Sequence, residues 1–156
     1  MKCVAIQSSP NLNGLTARLA QAVLRGVKSE NGSIELINLN NLDIKQCITC
    51  DNGWGICREK NLCILEDDFE ALRKKITEAD AVVFATPVYW HDVSESAKRF
   101  LDRLRRCESF TFKTFTGKKI IGIAQLVGVV EELLELFTIS KIIFEDLDSR
   151  SLTSSR

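Results

Sequence analysis

At 156 residues the chain is long enough for one domain with a substantial core, and 45% hydrophobic with 27% charged residues excludes a disordered segment. Lys plus Arg (21) balances Asp plus Glu (21), so no net field draws it to nucleic acid or to an anionic membrane. The longest apolar run, Ile120 to Val130, is shorter than the roughly 20 residues of a membrane helix, and no apolar stretch of signal-peptide length opens the chain, so a cytoplasmic protein is expected.

Short apolar runs alternate with longer amphipathic stretches, the pattern of an open α/β sheet. Cys3-Val4-Ala5-Ile6 reads as a central parallel strand buried on both faces. The polar turn Ser8 to Gly14 follows, then a helix with Leu15, Leu19, Val23 and Val27 along one face. Asn31-Gly32 turns the chain into a second strand, Ile34 to Ile37. Beyond a cysteine-rich insertion, 43–66, Asp67-Asp68 caps a helix carrying Phe69, Leu72 and Ile76. Ala81 to Ala85 is the third strand, with Pro87 expected to stop it. Ser94 or Asp92 caps the next helix, with Ala97, Phe100, Leu101 and Leu104 inward and the pairs Glu95–Arg99 and Lys98–Asp102 outward. A fourth strand spans Ile120 to Ala124, a short helix lies near Val129 to Phe137, and Lys141 to Phe144 forms a fifth strand.

One domain, 1–148, is therefore expected, followed by a polar tail, 149–156, with the final helix missing. Right-handed crossovers favour the strand order 2-1-3-4-5, with ligands beyond the carboxyl ends where the first and third strands part. The segments Gln7 to Thr16 and Thr86 to Asp92 emerge there. Ser8, Ser9, Asn13 and Thr16 surround a helix N-terminus, whose unpaired N–H groups and partial positive charge favour a phosphate. Such residues are equally ordinary helix caps. A Walker loop and a G-x-G-x-x-G fingerprint are both absent.

The run Ser8-Ser9-Pro10-Asn11-Leu12-Asn13-Gly14-Leu15-Thr16 resembles the GSPRxxGNT phosphate loop of the NADPH-dependent FMN reductase family, which has a flavodoxin-like fold. Thr86 to Ser94, continued by Lys98 to Arg103, resembles that family's SPVYxGSVSxxLKxFLDR, and Cys63 to Asp68 is similar to the GxCVIxDDM of its iron–sulfur flavoprotein branch. The resemblance implies a three-layer sandwich binding FMN, with NAD(P)H as electron donor and a small molecule or protein as acceptor. It implies that Ser9, Asn11, Leu15 and Thr16 hold the FMN phosphate and that Pro87, Val88, Tyr89 and Trp90 line the flavin. Asn11 replaces a frequent Arg, Leu15 a usual Asn, and His91 a frequent Gly. Hydride transfer to flavin needs no protein acid or base at the reacting atom, so no catalytic side chain is assigned, and His91, the only histidine, reads as a surface residue.

Cys47, Cys50, Cys57 and Cys63 form C-x2-C-x6-C-x5-C, which suits a [4Fe–4S] cluster, a zinc ion or free redox-active thiols. The six-residue gap is longer than in the iron–sulfur branch. Cys3 and Cys107 read as small core residues. The direct entry of Ala124 to Val129 into helix removes a Gly-rich flavin contact common among relatives. Sheet surface left bare by the missing last helix calls for a second subunit, a homo-oligomer. An FMN-dependent NAD(P)H oxidoreductase is the reading reached; a flavodoxin-like electron carrier and a non-catalytic metal-binding or interaction protein on the same scaffold are the alternatives.

Overall fold

The structure is a computed structural model and describes residues 1–108 and 114–126. Its elements are β1 (Lys2–Gln7), α1 (Leu15–Ser29), β2 (Ser33–Asn38), α2 (Ile56–Lys60), α3 (Phe69–Thr77), β3 (Ala81–Tyr89), β4 (Asp92–Val93), α4 (Glu95–Glu108) and β5 (Lys119–Gln125). The strands β2, β1, β3 and β5 lie in that order, all parallel, and β4 returns antiparallel along the end of β3. This matches the expected order for four parallel strands. The expected fifth strand, the helix near 129–137, the missing last helix and the polar tail fall outside the described residues.

Strand alternation divides the core in two. Cys3, Ala5, Ala81 and Val83 face one side, where Leu24 of α1 covers them with Val23 and Val27 at the margin. Val4, Ile6 and Val82 face the other, packed with Phe69, Leu72 and Ile76 of α3 and Ala97, Phe100 and Leu104 of α4. Continuous apolar runs are needed because both faces are covered. The first helix buries Thr16, Ala17, Ala20 and Leu24, while Leu15 and Leu19 are exposed, so the expected apolar stripe is displaced around the helix. Small residues there let α1 sit close to a face built of Cys and Ala.

The expectation that Pro87 ends its strand is corrected. β1 stops pairing opposite Ala85, and beyond it Thr86 and Pro87 pair only with Ala124 and Gln125 of β5. A proline on a strand with one open side removes no ladder hydrogen bond, and β3 continues to Tyr89. Trp90 and His91 then form a two-residue turn, both at positive φ, joining Tyr89 to Asp92.

On α4 the pairs Arg99–Glu95 and Lys98–Asp102 form outside as expected. The inner face holds an unexpected charge. The Arg103 side chain is 1% exposed and bidentate to Asp67, whose side chain is fully buried. Asp67 also accepts the N–H groups of Phe69 (3.1 Å) and Lys45 (2.9 Å), so it caps α3 and anchors the cysteine segment together. Asp68 makes no cap bond and instead accepts the Asp43 N–H at 2.8 Å.

Burial opposes the charge on Asp67, but the Arg103 hydrogen bonds, the two backbone N–H groups and the Arg103 charge outweigh it and hold its pKa below the usual carboxylate range. The unfolded chain therefore takes up this proton at higher pH than the folded one. The stability so gained is complete above the unfolded Asp pKa of about 3.9 and is lost as pH falls through the lower folded value. Asp67→Asn, which leaves Arg103 buried without its counter-charge, is expected to lower stability at neutral pH by about 3–5 kcal/mol. Urea unfolding from about pH 3 to pH 7 should show the gap between parent and variant narrowing towards the acid end.

Candidate functional site

Because β1 and β3 are neighbours, the loops leaving their carboxyl ends meet. Ser8 N–H bonds the Ala85 carbonyl at 3.0 Å, extending the ladder by one residue. The Ser8 carbonyl then accepts three side chains from three directions: Asn40 Nδ2 (3.0 Å), Ser94 Oγ (3.2 Å) and Ser96 Oγ (3.3 Å). This one oxygen ties the first loop to the segment after β2 and to the start of α4. Ser94 also presents its hydroxyl to the Ala97 N–H at 3.5 Å, as expected of a cap, and its own N–H goes to the Thr86 hydroxyl at 3.2 Å.

The loop itself is set by side-chain turns. Gln7 Oε1 accepts the Ser9 N–H at 2.8 Å, Ser9 Oγ accepts the Asn11 N–H at 3.2 Å, and Asn11 Oδ1 accepts the Asn13 N–H at 3.0 Å. Gly14 stands at the N-cap of α1 and offers no side-chain cap. The first-turn N–H groups thus face outward with the positive end of a 15-residue helix behind them. Ser9 and Thr16 are buried beside that end, Asn11 and Leu15 are exposed, and the Thr16 hydroxyl lies 3.4 Å from Gln125 Oε1 of β5. Across from them Val88 is buried, Tyr89 is half exposed and Trp90 is 97% exposed at the hairpin tip.

The cysteine segment lies on the α3/α4 side of the sheet. Cys47, Cys50, Cys57 and Cys63 line one cavity of about 20 Å³, together with Cys107, Arg103 and Arg106 of α4. All six cysteines are free thiols. Among the described residues no three His, Cys, Asp or Glu side chains converge to the span of a single metal ion. A tetrahedral zinc site with 2.3 Å bonds needs its sulfurs about 3.8 Å apart. The ends of the segment are fixed by buried charge: Arg103 bonds the Lys45 carbonyl (3.0 Å), while Arg73 bonds the Asn61 carbonyl (2.7 Å), Glu70 and Glu108. Glu70 in turn accepts the Cys63 N–H at 3.1 Å.

Between these ends the backbone is strained, with Thr49, Asp51 and Asn52 at positive φ. Arg106 bonds the Gly53 carbonyl and stacks over Trp54, its guanidinium carbon 5.2 Å from the ring centre. A Cβ at Gly55 would stand 2.6 Å from Cys50 Sγ, so a larger residue there would have to displace that thiol. Burial, opposed in part by Arg73, pushes the Cys107 thiol up to about 12. A wider groove, about 660 Å³, runs from Cys47, Thr49 and Arg106 along α4 to Glu95 and Val93. It joins the cysteine segment to the base of the hairpin.

The family model for NADPH-dependent FMN reductase matches residues 1–144. The chain belongs to this family. An iron–sulfur flavoprotein of Archaeoglobus fulgidus is 32% identical over 104 residues, covering 67% of this chain and 46% of the relative. One from Methanocaldococcus jannaschii is 33% identical over 105 residues, covering 67% and 52%. The chain thus spans about half the length of these relatives. An NAD(P)H:quinone oxidoreductase from Methanothermobacter marburgensis shares the fold, with a TM-score of 0.71 at 16% identity over 94% of this chain and 76% of that one. The apo form of an NADH:FMN oxidoreductase gives 0.62 at 25% identity over 88% and 64%.

The residues expected to hold phosphate and those expected to line a ring lie at one edge of the sheet, and the four clustered cysteines share one cavity. Sequence reasoning missed the Arg103–Asp67 pair, the Ser8 carbonyl hub with Asn40 and Ser96, and the place of Cys107 on the cysteine cavity. The spacing of Phe100, Arg103, Leu104 and Cys107 along one helical face was the available signal for the first and last of these.

The hairpin tip carries its own test. His91 sits at φ 61, in the left-handed region that glycine adopts more readily than other residues, and the family often has glycine there. His91→Gly is expected to raise stability by about 1 kcal/mol, read as a higher thermal midpoint, with the hairpin intact.

Proposed function

We propose that this chain binds FMN across the Ser8–Thr16 loop and the β3–β4 hairpin and passes electrons from NADH or NADPH to an acceptor, with Cys47, Cys50, Cys57 and Cys63 holding a [4Fe–4S] cluster. The observation that carries the flavin reading is the N-terminus of α1, which has no side-chain cap and is flanked by the Ser9 and Thr16 hydroxyls at the edge where β1 and β3 part. A Cβ added at Gly14 would meet Asn11 atoms at 3.2 Å, so glycine lets the loop close tightly onto the helix end. With no arginine at position 11, the helix end and the two hydroxyls carry the phosphate charge.

When bound, FMN accepts a hydride and delivers electrons onward, so the chain's task is to place and shield it. Pro87, paired to β5, and Val88, paired to β4, give a fixed wall, and Tyr89 and Trp90 give aromatic surface. For the second centre, likeness to relatives named iron–sulfur flavoproteins favours a cluster over a lone zinc. Four thiols line one cavity, and a cubane gives each thiolate its own iron. The cavity measures about 20 Å³, and the strained turn at Thr49 to Gly53 forms part of its wall between the two clamped ends.

Anaerobically purified protein, reconstituted with iron and sulfide and titrated with FMN, tests both parts. Quenched flavin fluorescence with turnover of NADH or NADPH supports the oxidoreductase. Bound FMN without turnover leaves an electron carrier, and metal without flavin a metal-binding chain.

Ser9→Ala and Thr16→Ala are each expected to weaken FMN binding by about 1–3 kcal/mol, roughly 5- to 150-fold in Kd by fluorescence titration, the loss expected of a hydrogen bond to a charged group. Riboflavin, which lacks the phosphate, should bind parent and variants alike.

Iron per chain separates a shared site from independent thiols. Cys50→Ser and Cys57→Ser should lose it, whereas Cys107→Ser, outside the C-x2-C-x6-C-x5-C run, and Cys3→Ser, in β1, should keep it. Equal iron in all four variants would mean that no such site exists.

A further inference from the structure

Arg103 is committed on almost every side. Its Nη1 bonds the Lys45 carbonyl (3.0 Å) and Asp67, its Nη2 bonds Asp67 (3.0 Å), and its guanidinium carbon lies 4.2 Å above the Phe69 ring centre. That leaves Nε, buried, as the one guanidinium nitrogen without an acceptor. Buried polar groups are nearly always hydrogen-bonded, so an orphan of this kind calls for a partner such as a water, an ion or a bound group. The same side chain lines the cavity into which the four clustered cysteines face.

We infer that Arg103 Nε–H is a built-in hydrogen-bond donor to a sulfur of the centre held by Cys47, Cys50, Cys57 and Cys63, and that it sets the reduction potential of that centre. The inference rests on the cluster proposed above. A hydrogen bond to a cluster sulfur favours the reduced form, which carries one more negative charge, and so raises the potential. The Asp67 carboxylate balances the arginine's charge, so it is the directed N–H more than a bare cation that acts at the cavity. Asp67 and the Phe69 ring hold the guanidinium, and neither belongs to the strained turn at Thr49 to Gly53.

Arg103→Lys keeps a cation beside Asp67 and removes Nε–H. The expected result, in protein reconstituted with iron and sulfide, is iron content equal to the parent and a midpoint shifted negative. A threefold change in the reduced fraction at fixed potential corresponds to about 28 mV for a one-electron couple. Iron retained with an unchanged midpoint would overturn the role of Arg103 while leaving the cluster standing. A parent that binds no iron would remove both. Because the lysine variant strains a buried pair, a second measurement uses native side chains. Parent protein labelled with ¹⁵N-arginine should show nitrogen coupling to the reduced cluster by pulsed EPR, and the coupling should persist in Arg106→Lys. Its absence from the parent, or its loss in Arg106→Lys, would overturn the assignment to Arg103.

Discussion

A buried ion pair, Arg103 with Asp67, is the constraint around which the functional side of this molecule is arranged. Removing two charges from water is expensive, and such a pair seldom stabilises more than a well-packed apolar replacement would. Here it does several jobs that apolar side chains cannot. Asp67 caps α3 through the Phe69 N–H, receives the Lys45 N–H, and fixes the guanidinium that bonds the Lys45 carbonyl. The start of α3, the entry to the cysteine segment and the inner face of α4 are thereby held in a single geometry. A second buried network, Arg73 with Glu70 and Glu108, holds the exit of the segment in the same manner.

The other half of the site depends on backbone rather than charge. Parallel pairing of β1 with β3 brings two loops to one edge, and the Ser8 carbonyl, accepting from Asn40, Ser94 and Ser96, locks them to α4. Polar side chains are thus spent on shaping the loop, and the first turn of α1 is left without a side-chain cap. A helix end left open in an otherwise well-bonded loop is where an anion gains most, because no internal partner must be displaced.

Much of this was legible in the sequence, for a physical reason. Strands covered on both faces must be continuously apolar, and Cys3 to Ile6 and Ala81 to Ala85 could be little else. Phe69, Leu72 and Ile76 recur at helical spacing behind acidic residues, and α3 lies over them. What misled was local inference where tertiary context decides. Pro87 reads as a stop, yet in β3 its missing N–H faces no partner strand. Leu15 and Leu19 read as core, yet the narrow approach of α1 to a Cys and Ala face selects Ala17 and Ala20 instead. The burial of Arg103 went unread, and only its position one turn from both Phe100 and Cys107 hinted at it.

The two candidate centres are joined by a single rigid element. Ser94, at the head of α4, bonds the loop at the flavin edge, while Arg103, Arg106 and Cys107 further along the same helix line the cysteine cavity. Nine residues of helix separate Ser94 from Arg103, about 14 Å along the axis. The groove from Cys47 to Val93 follows this same stretch. The separation of the two sites is therefore set by a helix whose apolar face is packed into the main core, and the strained turn at Thr49 to Gly53 can rearrange without altering it. The six-residue gap between Cys50 and Cys57 lies between the ends that Arg103 and Arg73 clamp, so its length need not disturb the packing of α4 against the sheet.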